Sequence, residues 1–321
     1  MSYIPHTDVE RQQMLAAIGV TTIEDLIEAV PSKYRFPKLN MPKGMSEMEA
    51  AAELQALAEA NEHAGDYALF RGAGAYHHFI PSAVNHVLLR SEFYTAYTPY
   101  QPEVSQGTLQ AVYEYQSMLC ALTGMDAANA SHYDGATSLA EAVTVALEVS
   151  RHKRNKVVLH PGIHPQYRAV ARTYHQGNDV EFVGDGGKAI ERTNADDLIK
   201  HIDDQTALVA IQYPNYLGYI EDFTALVEAT HNVGALICFV VNPMALALFK
   251  APGELGADIV VGEGQPLGIP LSYGGPYLGF FAGRGEYVGK NAGGIVGGTR
   301  DHSGKRAVVM TPRPRGQDNP R

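Results

Sequence analysis

Apolar positions in the first sixty residues recur at helical spacing. Thr7 or Asp8 can cap a helix that runs to Ile18 and stops at Gly19. Ile23, Leu26 and Ile27 repeat the pattern between Thr21 and Val30, and Pro31 closes it. Pro37, Pro42 and Gly44 then punctuate an extended linker over residues 32–45. Ser46 caps a long helix rich in Ala, Glu and Leu that reaches about His63. These helices are too polar to form a core by themselves, so the segment reads as an arm or wrap.

From about residue 105 the pattern changes. Leu109, Val112, Leu119 and Leu122 mark a helix ended by Gly124, and Leu139, Val143, Ala146 and Leu147 mark another that starts after Asp134 and Gly135. Short β-rich runs follow at 156–160, 180–183, 207–212, 235–241 and 258–261, alternating with helical patterns. Strands alternating with helices predict βαβ units, hence an α/β fold with a mostly parallel central sheet flanked by helices. The expected division is a helical arm with a tyrosine-rich loop over 1–104, an α/β large domain over 105–310, and a Pro- and Arg-rich tail over 311–321 that carries no core pattern.

Composition narrows the function classes. With 321 residues, 45% of them hydrophobic, the chain can bury a large core. Lys and Arg total 25 against 35 Asp and Glu, a net charge of −10, and the basic residues form no stripe, which argues against nucleic acid. Cys120 and Cys238 lie in apolar runs and read as small buried hydrophobes in a reducing cytosol. The first ten residues lack the apolar core of a secretory signal, and no apolar run approaches the roughly 20 residues of a membrane span. A soluble, cytoplasmic protein is expected.

In open α/β sheets ligands bind at loops beyond the carboxyl ends of the strands. The stretch 93–103 sets Tyr94, Tyr97 and Tyr100 among prolines, together with Thr98, Gln101 and Glu103. Hydroxylated rings suit a substrate pocket, and they suit a packing loop at a subunit interface equally well. Asp134, Gly135 and Thr137 open a helix whose free N–H groups could hold an anion or serve an ordinary cap. His160, His164 and His175 fit no zinc spacing, so no metal is expected, although His164 could stack on a ligand. Residues 262–266 and 273–276 are the most glycine-dense, without a phosphate-loop or dinucleotide signature. Close approach to a ligand and plain turns both account for that density. No nucleophile–base arrangement emerges.

Four of these blocks resemble one family. Residues 97–107 (YTPYQPEVSQG), 129–141 (NASHYDGATSLAE), 214–222 (PNYLGYIED) and 256–279 (GADIVVGEGQPLGIPLSYGGPYLG) are similar to subunit 1 sequences of the glycine cleavage system P-protein family, glycine dehydrogenase (decarboxylating), an oxidoreductase. The resemblance runs to about Val309. It implies the fold of the type I, aspartate aminotransferase-like, pyridoxal phosphate enzymes. It also implies a complex that decarboxylates glycine on pyridoxal phosphate and transfers the aminomethyl group to the lipoyl arm of the H-protein. In the catalytic subunit of such a complex a lysine of the glycine-rich loop holds the cofactor; the corresponding position here is Gln265. Asn242 stands where an aspartate pairs with the pyridine nitrogen, and the nearest alternative lysines are Lys250 and Lys290.

The implied role is therefore a subunit that completes the active site while the cofactor sits on a partner, glycine dehydrogenase subunit 2, in a two-plus-two heterotetramer. Tyr97, Thr98, Tyr100, Gln101 and Glu103 would reach across the interface, leaving Asp134, Thr137 and His164 as a vestigial cofactor pocket. Family members continue into a small C-terminal domain, before which this chain is expected to be cut short. Two other roles compete: a purely structural or regulatory partner, and a self-sufficient pyridoxal phosphate decarboxylase using another lysine.

Overall fold

Three capping boxes order the first sixty residues. Thr7 with Glu10 starts α1 (Asp8–Ile18), Thr22 with Asp25 starts α2 (Ile23–Leu26), and Ser46 with Glu49 starts α3 (Glu47–Glu59). Gly19 ends α1 in the left-handed region at φ 89°. The predicted helix over 21–30 shrinks to the four residues of α2. The guanidinium of Arg35 donates to the carbonyls of Glu28 and Val30, and these contacts hold the chain in turns where the pattern suggested more helix. The structure, a computed structural model, describes residues 6–186, 195–290 and 293–310, so the tail over 311–321 lies outside the described residues. The chain divides into two compact units, Met1–His63 and Ala64–Arg321.

The second unit opens with two short helices, α4 (Ser82–Leu88) and α5 (Ser91–Tyr94), and then α6 (Gln106–Thr123), which Gly124 closes at φ 69°. After β1 (Ala127–Ala128) come α7 (Gly135–Val149), β2 (Lys156–Leu159), α8 (Pro165–Tyr174) and β3 (Glu181–Val183). Next are β4 (Thr206–Tyr213), α9 (Thr224–Asn232), β5 (Leu236–Val241) and β6 (Ile259–Glu263). The last strands are β7 (Gly279–Gly283), β8 (Val296–Arg300) and β9 (Arg306–Met310).

Seven strands form one sheet in the order β1-β7-β6-β5-β4-β2-β3, and β8 and β9 form a separate hairpin. Strands β2 to β6 run parallel, and β7 runs against both β6 and β1. Both faces of the sheet are covered. Leu208, Ala210, Cys238 and Val240 pack on one side with Leu139 and Val143 of α7 and Ala171 of α8. Val209, Ile211, Ile237 and Phe239 pack on the other with Leu119 of α6 and Leu226 of α9. Alternate residues of one strand thus enter two different cores, which explains why these strands are apolar throughout. Cys120 and Cys238 are both free. No helix among the described residues is long and apolar enough to cross a membrane.

Glutamine side chains fasten distant backbone to this frame. The Gln106 amide donates to the Val308 carbonyl at 2.8 Å and accepts from the Val308 N–H at 3.0 Å. Gln116 pairs in the same way with Val296, at 3.0 and 2.9 Å. Each side chain acts as a surrogate peptide unit and satisfies one donor and one acceptor that would otherwise be stranded. Together they hold the β8–β9 hairpin against α6.

Candidate functional site

The carboxyl ends of β4, β5 and β6 surround a cavity of about 250 Å³. Its walls include His164, Gln212, Asn215, Asn242 and Glu263, and the segment 73–76 supplies a further side. This is where the topology of an open parallel sheet places a ligand. Among the described residues, no lysine or arginine lines it.

His164 begins α8 and is almost fully buried. Its Nδ1 accepts from the Gln166 N–H at 3.1 Å, which leaves Nε2 to donate to the Ala73 carbonyl at 2.9 Å. Its ring stacks on Tyr167 at 4.9 Å and meets the Tyr216 ring edgewise at 4.7 Å. The side chain that could have stacked on a ligand is engaged by the chain itself. The approaching segment is built for contact: Gly72, Ala73 and Gly74 all have positive φ, at 62°, 67° and 95°. Ala73 is the unusual member, held where glycine is favoured.

Gln265 fastens the same segment and has no exposed surface. Its Oε1 accepts from the Tyr76 N–H at 2.9 Å, while its Nε2 donates to the carbonyls of Tyr76 at 2.9 Å and Ile269 at 2.7 Å. This is a third glutamine acting as a peptide surrogate, at the position where the resemblance expects a lysine. Lys250 is exposed, and the Nζ of Lys290 donates to the Glu148 carbonyl.

Two residues before Gln265, Glu263 ends β6 with its side chain 8% exposed. One carboxylate oxygen accepts from the N–H groups of Gln265 at 2.9 Å and Leu278 at 3.0 Å. The other accepts from the Gly135 N–H at 3.1 Å, at the start of α7. Burial pushes the Glu263 pKa up; the three N–H donors oppose the rise and Asp134 adds to it. Burial, with Glu263 and Asp134 beyond it, likewise pushes the Tyr167 phenol up. A Cβ at Gly135 would collide with the Tyr167 hydroxyl, so the helix start, the ring and the carboxylate are packed together.

The sequence-predicted residues fall into two groups. Asn242, His164, Gln265 and the pair Asp134 and Thr137 gather at this end of the sheet. Asn242 lines the cavity, and its Oδ1 accepts from the Met244 N–H at 3.0 Å. Asp134 caps α7 by accepting from the Thr137 N–H at 2.7 Å, and the Asp134 N–H donates to the Thr137 hydroxyl at 3.1 Å. Of the two readings of this helix start, the ordinary cap is the one these contacts support: Gly135 and Thr137 both donate to the chain's own carboxylates. Tyr97, Thr98, Tyr100, Gln101 and Glu103 form the second group; all five are exposed and none lines the cavity. Gln106 anchors the end of their loop by donating to the Pro102 carbonyl at 2.8 Å. His160, with Glu221 3.4 Å from its Nε2, and His175, with the Ala140 carbonyl 3.1 Å from its Nε2, belong to separate buried networks.

Sequence reasoning missed Glu263, Tyr167 and the segment 73–76. The only local signal was an acidic residue isolated between two glycines at the end of an apolar strand, which is unusual for a buried position.

The family model described as glycine cleavage system P-protein matches residues 1–321. The chain is similar to a probable glycine dehydrogenase (decarboxylating) subunit 1 of Desulforamulus reducens, at 51% identity over 312 residues, 97% of this chain and 69% of the relative. It is also similar to a crystal structure of glycine decarboxylase (P-protein) of the glycine cleavage system in inhibitor-bound form. That match has a TM-score of 0.82 at 40% identity and covers 97% of this chain and 69% of the other. A sphingosine-1-phosphate lyase from Burkholderia pseudomallei aligns with a TM-score of 0.56 at 15% identity, covering 87% of this chain and 68% of the other, a likeness of fold alone.

Proposed function

The chain belongs to the glycine cleavage system P-protein family, and we propose that it serves there as a subunit of glycine decarboxylase that helps build the active site while a second chain carries the cofactor. Its fold is that of the type I pyridoxal phosphate enzymes: a mostly parallel seven-stranded sheet with helices on both faces.

Gln265 is the observation that carries the reading. An amide cannot form an imine with an aldehyde, and this one already makes three hydrogen bonds to backbone in a fully buried site. The residues around it do not fit the cofactor either. Asn242 offers no charge to a pyridinium nitrogen, and its carbonyl oxygen is engaged in a local turn. The start of α7, where a phosphate group would dock, holds Glu263 and Asp134. The cavity has no cation in its described lining. The electron sink that decarboxylation needs therefore belongs on a partner, a catalytic glycine dehydrogenase subunit, in a two-plus-two assembly. The other participants are glycine and the lipoyl arm of the H-protein. Tyr97, Thr98, Tyr100, Gln101 and Glu103 lie at the surface on a loop anchored at one end, a placement that supports a role in orienting glycine or the lipoyl arm across a subunit interface.

The test is direct. The isolated chain is incubated with pyridoxal phosphate, reduced with borohydride and weighed intact. No stoichiometric adduct is expected, and glycine–bicarbonate exchange is expected only after the catalytic chain is added. One cofactor per chain on a single lysine would overturn the reading.

A further inference from the structure

We propose that Glu263 is the residue that closes this chain to phosphate-bearing ligands, because its carboxylate already fills the anion position at the start of α7. The inference deepens the reading of a cofactor-free subunit and rests on it. The missing lysine explains why no covalent bond forms, but it does not explain why the cofactor's phosphate group finds no dock. Many ligands are held by a helix start without any covalent bond.

A helix of this length has four N–H groups at its start without helical partners, and the aligned peptide dipoles favour an anion there. In α7 the Gly135 N–H donates to one oxygen of Glu263, and the Thr137 N–H donates to Asp134. The second oxygen of Glu263 takes the N–H groups of Gln265 and Leu278, so the carboxylate ties three separate backbone segments together. It is more than nine-tenths buried. Register fixes its place: Glu263 pairs with Gly279 across β6 and β7, and a Cβ at Gly279 would strike the Asp134 carbonyl, so the strand end and the helix start approach with no side chain between them. An arriving phosphate would meet two carboxylates, no lysine or arginine in the described cavity lining, and the Gly135 and Thr137 N–H groups already taken. Gln265 acts in parallel by holding the backbone of Tyr76, which lines the cavity. Glu263 is thus a specificity-determining residue: it occupies the place an anionic group would need.

Removing it should convert the site. The full-length chain and its Glu263→Ala and Glu263→Gln variants are titrated with inorganic phosphate, with chloride at matched ionic strength as reference, while the melting temperature is followed. The wild type should not distinguish phosphate from chloride. Glu263→Ala should melt lower in chloride and recover in phosphate, with an apparent affinity about tenfold or more above the wild type. Glu263→Gln fills the same space without the charge and should show no phosphate-specific recovery. A Glu263→Ala chain indifferent to phosphate, or a wild type that responds as strongly as the variant, overturns the proposal. If Glu263→Ala does not fold in chloride, its refolding yield in phosphate is the readout, with Glu263→Ser as a second variant that keeps one hydrogen-bonding group. Failure of both variants in both salts counts against the proposal, which requires phosphate to replace the carboxylate. A reduced cofactor adduct on the wild type would sink the functional reading itself. An adduct-free wild type with an unresponsive Glu263→Ala sinks this inference alone.

Discussion

At the scale of single residues, one buried amide ties distant stretches of backbone together. Gln265 and Tyr76 are 189 positions apart, yet they share two hydrogen bonds. Gln265→Leu would leave Tyr76 and Ile269 without these partners, a loss of about 1–3 kcal/mol for unsatisfied buried groups, to be read from chemical denaturation midpoints. His132 supplies a pH dependence. Burial lowers its pKa from 6.5 to about 4, and as a neutral ring its Nε2 accepts from the Asn129 amide at 3.0 Å. The native pKa lies below the unfolded one, so the unfolded chain binds the proton more readily. Stability from this group is complete above about pH 6.5 and is lost as the pH falls towards 4. The loss should be on the order of 2 kcal/mol after allowance for partial exposure, and His132→Gln should flatten that part of the stability–pH curve. The amide at position 265 was visible in the sequence; the backbone it binds was not, because no periodicity relates positions so far apart.

At the scale of elements, the five parallel strands β2 to β6 were legible, and β7 and β1 at one side of the sheet were not. Runs such as LICFVV in β5 are buried on both faces, as strands of a parallel sheet covered by helices are. The start of α7 was equally plain, since Asp134 and Gly135 carry a cap signature. The five residues of β7, GFFAG, follow a glycine-dense stretch, and the strand pattern read from the sequence stops before them. Only pairing with β6 and β1 makes them a strand. That pairing is intolerant of bulk at Gly279. Gly279→Ala should cost about 1–3 kcal/mol through overpacking against the Asp134 carbonyl and Ser138, seen as a lowered melting temperature with the start of α7 displaced.

At the scale of the whole molecule, exposed large apolar side chains run through the first hundred residues, and the tyrosine-rich loop carries its share of them. Leu89, Tyr94, Tyr97, Tyr100 and Val104 are each at least 65% exposed. Scattered exposed hydrophobes are ordinary, and the proposed subunit role would give these five, within sixteen positions, a partner to cover them. Tyr97→Phe and Tyr100→Phe should leave the isolated chain's stability within about 0.5 kcal/mol of the parent, as expected for surface positions. In the assembly reconstituted with the catalytic chain, loss of a hydroxyl that orients substrate should slow glycine–bicarbonate exchange about tenfold, the factor one hydrogen bond carries. Unchanged exchange would assign the loop to packing alone.

The sequence by itself determined the α/β class, the order of the central strands and helices along the chain, and the absence of a lysine at position 265. These follow from burial periodicity, cap chemistry and side-chain identity, which act over a few neighbouring residues. Tertiary structure alone decided which groups meet at the carboxyl ends of the strands. Glu263 reaches the start of α7, His164 donates to Ala73, and Gln265 binds Tyr76 only because the parallel sheet brings the ends of β4, β5 and β6 to one edge. Each of these contacts joins segments remote in sequence, and a hydrogen bond depends on distance and angle in space, which no local pattern encodes.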